Sequence, residues 1–352
     1  MKTRYFGGAL ITLFCAGSAI AQSLTPTSSV TIYGNVDVSV MRQWGIGPSK
    51  TSEDNYHTSR LGFRGVEDLG GGLSAIFKLE TRFLPATGAQ QDSATYWNDE
   101  TFVGLSSSSA GTLKLGRVYS PFYLAVAGRI DPFNGDGIGS MTGLTSLGHN
   151  LSPGDPYYAA KNLANQDVRT NNAIDYTSPS FGGFTGQLQT SLSGVAGQKD
   201  GIAAVLKYDS PTLFAETGYE RKAFSNNAYT SHIGGGYVFG PARLSVGYTT
   251  GYYSDDEYAR GNKGKSAIVG LTYNVGNFAL LGAISRMQMD MPTLLDAAKN
   301  TGSNLTKVAF GTDYSLSKRT TLFAHYAHFT NPVSIIFVGN ANKIEVGIDH
   351  RF

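Results

Sequence analysis

Apolar and polar residues alternate with a period of two along most of the chain. In "VTIYGNVDVSV" one face carries Val30, Ile32, Val36, Val38 and Val40. The other face of that stretch carries Thr31, Tyr33, Asn35, Asp37 and Ser39. A β-strand projects successive side chains to opposite faces, so the alternation predicts strands with one apolar and one polar face.

Sixteen such segments follow one another, and most have about 8–12 residues, the length of a tilted strand that crosses the bilayer core. Their predicted bounds are 30–41, 58–68, 73–83, 99–106, 111–118, 171–178, 183–192, 202–209, 213–222, 228–239, 242–252, 264–275, 278–290, 304–314, 320–330 and 342–352.

Short and long connections alternate between these strands. The tight ones are 69–72, 107–110, 179–182, 210–212, 240–241, 276–277 and 315–319. The connections between them are mostly longer, and the third of these, at 119–170, is the longest. Short turns at one rim and longer loops at the other are typical of outer-membrane barrels.

A β protein in lipid must close into a barrel, because the bilayer core offers no partner to unpaired backbone groups. We therefore predict an all-β fold, a 16-stranded antiparallel transmembrane β-barrel with its apolar face towards lipid. Side chains cannot fill so wide a lumen, so the barrel would enclose an aqueous channel.

The first residues have the pattern of a secretory signal peptide. Lys2 and Arg4 precede an apolar run over 7–16, and "AIA" at 19–21 provides small residues for cleavage. We predict a cleaved segment at 1–21 and one barrel domain at 22–352. A membrane anchor is the alternative reading, but the apolar run is too short for a membrane span.

Composition changes the picture in three respects. The chain has 28 Lys+Arg and 26 Asp+Glu, so loss of Lys2 and Arg4 leaves a neutral mature protein, which argues against a nucleic-acid partner. Cys15, the single cysteine, falls in the signal peptide, so no disulfide is expected. No HExxH or GxSxG motif occurs and the 6 His are scattered, so we expect no enzyme activity, metal or cofactor.

Several stretches resemble the trimeric general porins of Gram-negative outer membranes, particularly the beta-proteobacterial type. They are "SVTIYGNVD" (29–37), "SRLGFRGVEDLGGGLSAIFKLETRF" (59–83), "FVGLSS" (102–107), "GTLKLGR" (111–117), "NNAIDYTSPSFGGF" (171–184), "LSKRTTLFAHY" (316–326) and the final "GIDHRF".

This resemblance implies a homotrimer in the outer membrane, in contact with lipid and lipopolysaccharide. It implies that the 119–170 region folds inward as a constriction loop. It also implies that the barrel assembly machinery reads the terminal strand ending in Phe352. The expected function is passive diffusion of ions and small hydrophilic solutes. The alternative is a substrate-specific channel with a weak solute-binding site.

Strand parity assigns the lumen lining. Arg60 and Arg64 alternate with apolar residues, and an arginine at mid-membrane on the lipid face would cost about 2–4 kcal/mol. The same parity places Lys78, Glu80 and Arg82 inside the barrel. We therefore predict a basic wall of Arg60, Arg64, Lys78, Arg82 and Arg169, with Glu80 as a further lining residue.

The resemblance supports some of these positions. Arg60 in "SRLG" and Arg169 before "NNAIDY" match wall arginines of the family, and Asp131 and Asp136 in "GRIDPFNGDGIGS" match its acidic loop. Where the family commonly has an arginine before "FVGL", this chain has residues 98–100, "NDE". That departure makes the wall less basic and leaves the ion preference open.

Arg117 is a further candidate lining residue. It has the parity of Leu113 and Leu115, which points it outward by simple alternation. It stands at a strand end, where a β-bulge could turn it towards the lumen.

Overall fold

A computed structural model describes residues 28–45, 49–54, 56–145, 147, 168–196, 199–221, 228–252, 263–289, 303–330 and 341–352. The predicted signal peptide at 1–21 and residues 148–167 of the long connection lie outside the described residues.

The described chain is organised as antiparallel strands in one sheet. The strands are β1 Ser29–Trp44, β2 Lys50–Asp54, β3 Arg60–Gly70, β4 Leu73–Leu84, β5 Ala89–Gln90, β6 Thr101–Ser107, β7 Gly111–Tyr119, β8 Arg169–Thr177, β9 Phe184–Ser191, β10 Gly201–Asp209, β11 Leu213–Arg221, β12 Tyr229–Phe239, β13 Ala242–Tyr252, β14 Lys263–Val275, β15 Phe278–Met289, β16 Ser303–Ser315, β17 Thr320–Thr330 and β18 Ala341–Arg351.

These strands form a closed sixteen-stranded barrel, which confirms the predicted fold. Apart from the short β2 and β5, each strand pairs with the next, and β1 pairs with β18 to complete the circle. The short β2 and β5 are not additional barrel strands. β2 and β3 both pair with β1, and β5 and β6 both pair with β4. Two of the sixteen positions are therefore interrupted strands, one between β2 and β3 and the other between β5 and β6.

The barrel closes at the chain's last residue. The Phe352 N–H donates to the Gly34 carbonyl at 3.0 Å, and the Gly34 N–H donates to the Phe352 carbonyl at 3.2 Å. The predicted terminal strand therefore pairs up to its final residue, which leaves no frayed backbone at the seam.

The outer face is apolar, as the alternation predicts. Val30 and Leu188 are 68% and 59% exposed, and Ile348 is also exposed, whereas polar residues of opposite parity such as Asp37 and Gln189 are buried on the inner side. This arrangement reverses that of a soluble protein, and it suits a barrel whose outer surface meets lipid.

The long connection after β7 begins with helical turns inside the barrel. Helix α1, Pro121–Ala125, is capped by the Ser120 hydroxyl, a π-helical turn spans Val126–Ile130, and helix α2 spans Thr142–Thr145. We call residues 120–145 the inner loop. None of the helices within the described ranges is long and apolar enough to cross a membrane.

The inner loop packs on one side of the lumen, and we call that surface the loop seat. Loop residues Ile130, Phe133, Met141 and Leu144 join one buried apolar cluster with inward-facing strand residues. Those strand residues include Ile268, Leu281, Met287, Leu305, Phe323 and Phe329. Here the inner face of the barrel is apolar because the loop, and not water, covers it.

Candidate channel constriction

The basic wall is built around a single carboxylate. Asp99 is fully buried, and its side chain pairs with three guanidinium groups. Arg82 Nε lies 2.6 Å from Asp99 Oδ2, Arg60 Nη1 lies 3.9 Å from the same oxygen, and Arg169 Nε bonds to Asp99 Oδ1. Three predicted wall residues are thus brought together on β3, β4 and β8.

An interrupted strand position brings Asp99 into this place. Residues 91–100 leave the sheet between β5 and β6, and the Asp99 N–H donates to the Glu80 carbonyl at 3.1 Å. The Asn98 side chain holds the segment from the other side, because its Oδ1 accepts from the Arg82 N–H at 2.7 Å. In a regular strand, the side chains of Asn98 and Asp99 would project to opposite faces. Because the strand is interrupted here, both side chains contact Arg82.

Tyr119 completes the arginine cluster. Its hydroxyl accepts from Arg82 Nη2 at 2.6 Å and from Arg169 Nη2 at 3.0 Å. The Arg169 guanidinium also lies 4.7 Å from the centroid of the Tyr119 ring. The Tyr119 ring thus holds the Arg169 guanidinium by a cation–π contact, which leaves the positive charge of Arg169 in place.

Asp99 is ionised in this setting. Burial alone would raise the pKa of the Asp99 carboxyl. The Arg82 and Arg169 guanidiniums outweigh burial and hold that pKa well below its usual range. Arg60 Nη1 also lies 3.9 Å from Glu80 Oε1. Three positive charges therefore stand against two negative ones, and the group keeps a net positive charge.

A second group extends the wall towards the short turns. Lys78 Nζ lies 2.8 Å from Glu100 Oε2 and 3.3 Å from Glu80 Oε2. Tyr33 donates its hydroxyl proton to Glu80 Oε2 at 2.7 Å. Glu80 is buried in these contacts, and Arg64, which pairs with Lys78 across β3 and β4, is exposed on the lumen side.

Arg117 lies beside an irregularity in the pairing of β7 with β8. The register of β7 and β8 shifts between Gly116 and Val118. Arg117 Nε then donates to the Asp99 carbonyl at 3.1 Å and Nη1 donates to Asn171 Oδ1 at 2.5 Å. Arg117 nevertheless pairs with Thr101 in the β6–β7 register, as Leu115 pairs with Val103, so it keeps the outward parity that simple alternation gives it. Its place in the lumen lining stays a prediction.

The two loop aspartates lie in different environments. Asp131 is buried, and its carboxylate accepts from the N–H groups of Phe133 at 3.0 Å and Met141 at 2.7 Å. Asp136 is partly exposed and interacts electrostatically with Arg82. Asp131 is thus bonded within the inner loop, and Asp136 is the loop carboxylate whose charge acts on Arg82.

The inner loop is held to the seat by polar contacts. The Ile138 N–H donates to Glu345 Oε1 at 3.2 Å, and Ser245 Oγ donates to the Ile130 carbonyl at 2.6 Å. Lys307 Nζ donates to the Ser140 carbonyl. Gly137, at φ +66°, has the left-handed backbone that the turn beside Glu345 requires.

Glu345 is itself fixed by a buried imidazole. His325 Nδ1 lies 3.0 Å from Glu345 Oε1, and His325 Nε2 lies 2.9 Å from Asp313 Oδ1. The seat therefore combines an apolar surface with a hydrogen-bonded chain from the barrel wall to the loop backbone.

Sequence reasoning missed Asp99, Tyr119 and the loop seat. By composition, "NDE" at 98–100 makes the wall less basic, but in the structure Asp99 organises the arginines. A usable signal for the seat was present, because Met287, Leu305 and Phe329 are apolar at positions whose parity points inward.

A closed barrel with an apolar outer face and a charged lumen defines a class of protein, the outer-membrane diffusion channels. Comparison with known proteins agrees. Residues 8–333 match the family model described as Gram-negative porin. The chain belongs to this family, and it is an outer-membrane channel for passive diffusion.

Individual relatives and one solved structure are similar to this chain. The chain is 30% identical to outer membrane porin protein 32 of Delftia acidovorans over 98% of both chains. It is 26% identical to an outer membrane porin of Bordetella pertussis over the full length of both. Among solved structures, the anion-selective porin from Comamonas acidovorans superimposes with a TM-score of 0.74 and 26% identity, covering 92% of this chain and 100% of that one.

Proposed function

We propose that the channel is narrowed between the inner loop and the arginine cluster, and that it favours anions. The observation that carries the proposal is the arrangement of three guanidiniums around the one carboxylate of Asp99. In a narrow pore, lining charge sets the relative rates at which cations and anions enter.

The inner loop contributes negative charge close to the positively charged wall. Asp136 faces Arg82 across the lumen, so a transverse field runs from the wall to the loop. Such a field orients dipolar solutes, and the excess of guanidinium over carboxylate on the wall favours anions. The Comamonas relative is named as an anion-selective porin, which agrees with this sign.

Reversal potential in planar bilayers under a KCl gradient tests the proposal. The wild type should show an anion-selective potential, and the double variant Arg60→Gln/Arg169→Gln should shift it towards cations. Arg42→Gln is the matched control, because Arg42 is exposed and has outward parity on β1. An unchanged potential in the double variant, or an equal shift in the control, would contradict the assignment.

The remaining expectations concern assembly and export. We propose a homotrimer that contacts lipid and lipopolysaccharide, a cleaved signal peptide at 1–21, and recognition of Phe352 by the barrel assembly machinery. We also propose that the protein catalyses no reaction, in keeping with relatives that are channel proteins. A trimer band on unheated gels and the mass of the mature N-terminus test the first two points.

A further inference from the structure

A hollow in the lumen wall lies between the arginine cluster and the short-turn rim. We call it the wall hollow; its volume is about 370 Å³ and its lining includes Tyr33, Arg64, Ile76, Lys78, Phe102 and Lys114. Going down from the Arg60–Arg82 pair, the β3–β4 register reaches Arg64–Lys78 and then Val66–Ile76 before the turn. The hollow therefore lies beside the ion path, outside the constriction.

Two cations of the wall hollow are held by aromatic rings. The Arg64 guanidinium lies 5.0 Å from the Tyr33 ring centroid, and the Lys114 ammonium lies 4.9 Å from that of Phe102. Within the described ranges, neither cation has a carboxylate within ion-pair distance. Lys114 lies opposite Asp175 in the β7–β8 register, beyond ion-pair distance, so that carboxylate offsets its charge only in part. The N–H donors of both cations are thus available to a solute.

Lys78, the third cation of the wall hollow, is already engaged in ion pairs. Lys78 is engaged by Glu80 and Glu100, so its charge is already neutralised. Glu100 also lines the wall hollow, and its carboxylate repels a second negative group on a bound solute. The charge pattern therefore suits a solute with one anionic group.

The floor of the wall hollow is apolar although it faces the lumen. Val66 and Ile76 form an inward register pair, Phe102 pairs with Lys78, and Val66 is 46% exposed. The apolar residues of the loop seat are buried by the inner loop, whereas this pair is open to the lumen. Exposed apolar surface beside unpaired cations is the composition of a site for an amphipathic anion.

We propose that the wall hollow binds small organic monoanions that carry an aromatic or apolar body. The anionic group is held by Arg64 and Lys114, and the body packs on Ile76 and Phe102. This proposal rests on the proposed function, because solutes reach the site through the channel. It would give the passive channel a weak, saturable preference for one chemical class.

Benzoate is a suitable probe, and acetate is its control, because acetate has the same charge without the ring. Binding is measured by titration calorimetry on the protein in detergent and by block of KCl current in bilayers. We expect saturable benzoate binding and block by the wild type, and no saturation by acetate over the same concentrations.

Variants separate the contributions. Arg64→Gln/Lys114→Gln should weaken benzoate binding by about tenfold or more, because it removes both charge-assisted contacts. Lys114→Gln alone should weaken it less. Phe102→Leu should weaken benzoate binding while the KCl reversal potential stays unchanged. Lys207→Gln is the matched control, since it removes a lumen cation from β10 on a different part of the wall.

The outcomes distinguish the two proposals. Absent or non-saturable benzoate binding, or an equal loss in Lys207→Gln, overturns the wall hollow as a site and leaves the channel intact. An absence of KCl current, or a cation-selective potential, overturns the proposed function instead, and the calorimetric titration still decides the site. Heat-modifiable migration on gels verifies that each variant is folded.

Discussion

The two sides of the lumen are lined by residues of opposite polarity. On the side of β3, β4 and β8, charged residues surround Asp99 and face water. On the side of β14–β17, apolar residues face inward and are buried under the inner loop. The strand alternation that places polar residues inside a barrel therefore weakens where a loop, and not water, fills the lumen. Where a loop fills it, the inner face has the composition of a protein core.

The largest expected effect comes from the loop seat. Phe133 is a fully buried loop residue, and its ring lies 5.3 Å from that of His325. Replacement of a buried Phe by Ala typically costs about 3–5 kcal/mol. We expect Phe133→Ala to release the inner loop and raise single-channel conductance, with faster entry of neutral sugars in liposome swelling.

Phe310→Ala serves as its control, because Phe310 is 57% exposed on the outer face. This variant should leave conductance unchanged. Wild-type conductance in Phe133→Ala would show that apolar packing does not hold the loop.

The second largest effect is expected on ion selectivity, when the wall carboxylate Asp99 is neutralised. Asp99→Asn removes the one carboxylate that the three arginines share, so the wall becomes more positive. We expect a stronger anion preference and a lower temperature of barrel unfolding, because loss of one partner of a buried ion pair costs about 3–5 kcal/mol. Reversal potential and the heat-modifiable gel shift measure the two effects.

Glu345→Gln neutralises a buried carboxylate in the loop seat, as Asp99→Asn does in the arginine cluster. It weakens the contacts with His325 and the Ile138 N–H. We expect noisier current, because the loop tip loosens, and little change in selectivity. If Glu345→Gln altered the reversal potential as much as Asp99→Asn, the division of roles between the two sides would be wrong.

A smaller effect depends on pH. Burial raises the pKa of Asp131 to about 6, and the Phe133 and Met141 N–H groups and Lys307 only partly oppose burial. A raised pKa means that the seated loop binds the proton more tightly than an unfolded loop does. The stabilisation is therefore greatest below about pH 4, the usual aspartate range, and is lost as pH rises to about 6.

We expect loop amides to exchange with solvent faster at pH 7 than at pH 5, after correction for intrinsic exchange rates. Asp131→Asn should flatten this dependence. Equal corrected rates at both pH values in the wild type would refute the role of Asp131.

The smallest effect on conduction is expected at the chain end. Deletion of Phe352 removes the two hydrogen bonds with Gly34 that close the seam. The yield of folded trimer should fall, and the channels that do assemble should have wild-type conductance. Normal yield from the deletion variant would contradict the importance of this residue for assembly.

Sequence patterns predicted nearly all of the fold, because lipid imposes strict alternation on every strand. All sixteen segments were found within a few residues of their predicted bounds. The interrupted strand positions were not predicted, since residues 56–59 and 91–100 make contacts with distant residues that the strand pattern does not contain. Parity predicts Arg60 and Arg82 on one face with Glu80 but gives no information about Asp99, which belongs to no strand.

The central claim is that a narrowed, net-positive lumen conducts ions. The most direct measurement is the current of the purified wild-type protein in a planar bilayer, first in symmetric KCl and then under a gradient. We predict stepwise conductance that rises with salt concentration, and a reversal potential with the sign of anion preference. Absence of steps, or a potential with the sign of cation preference, would contradict the account.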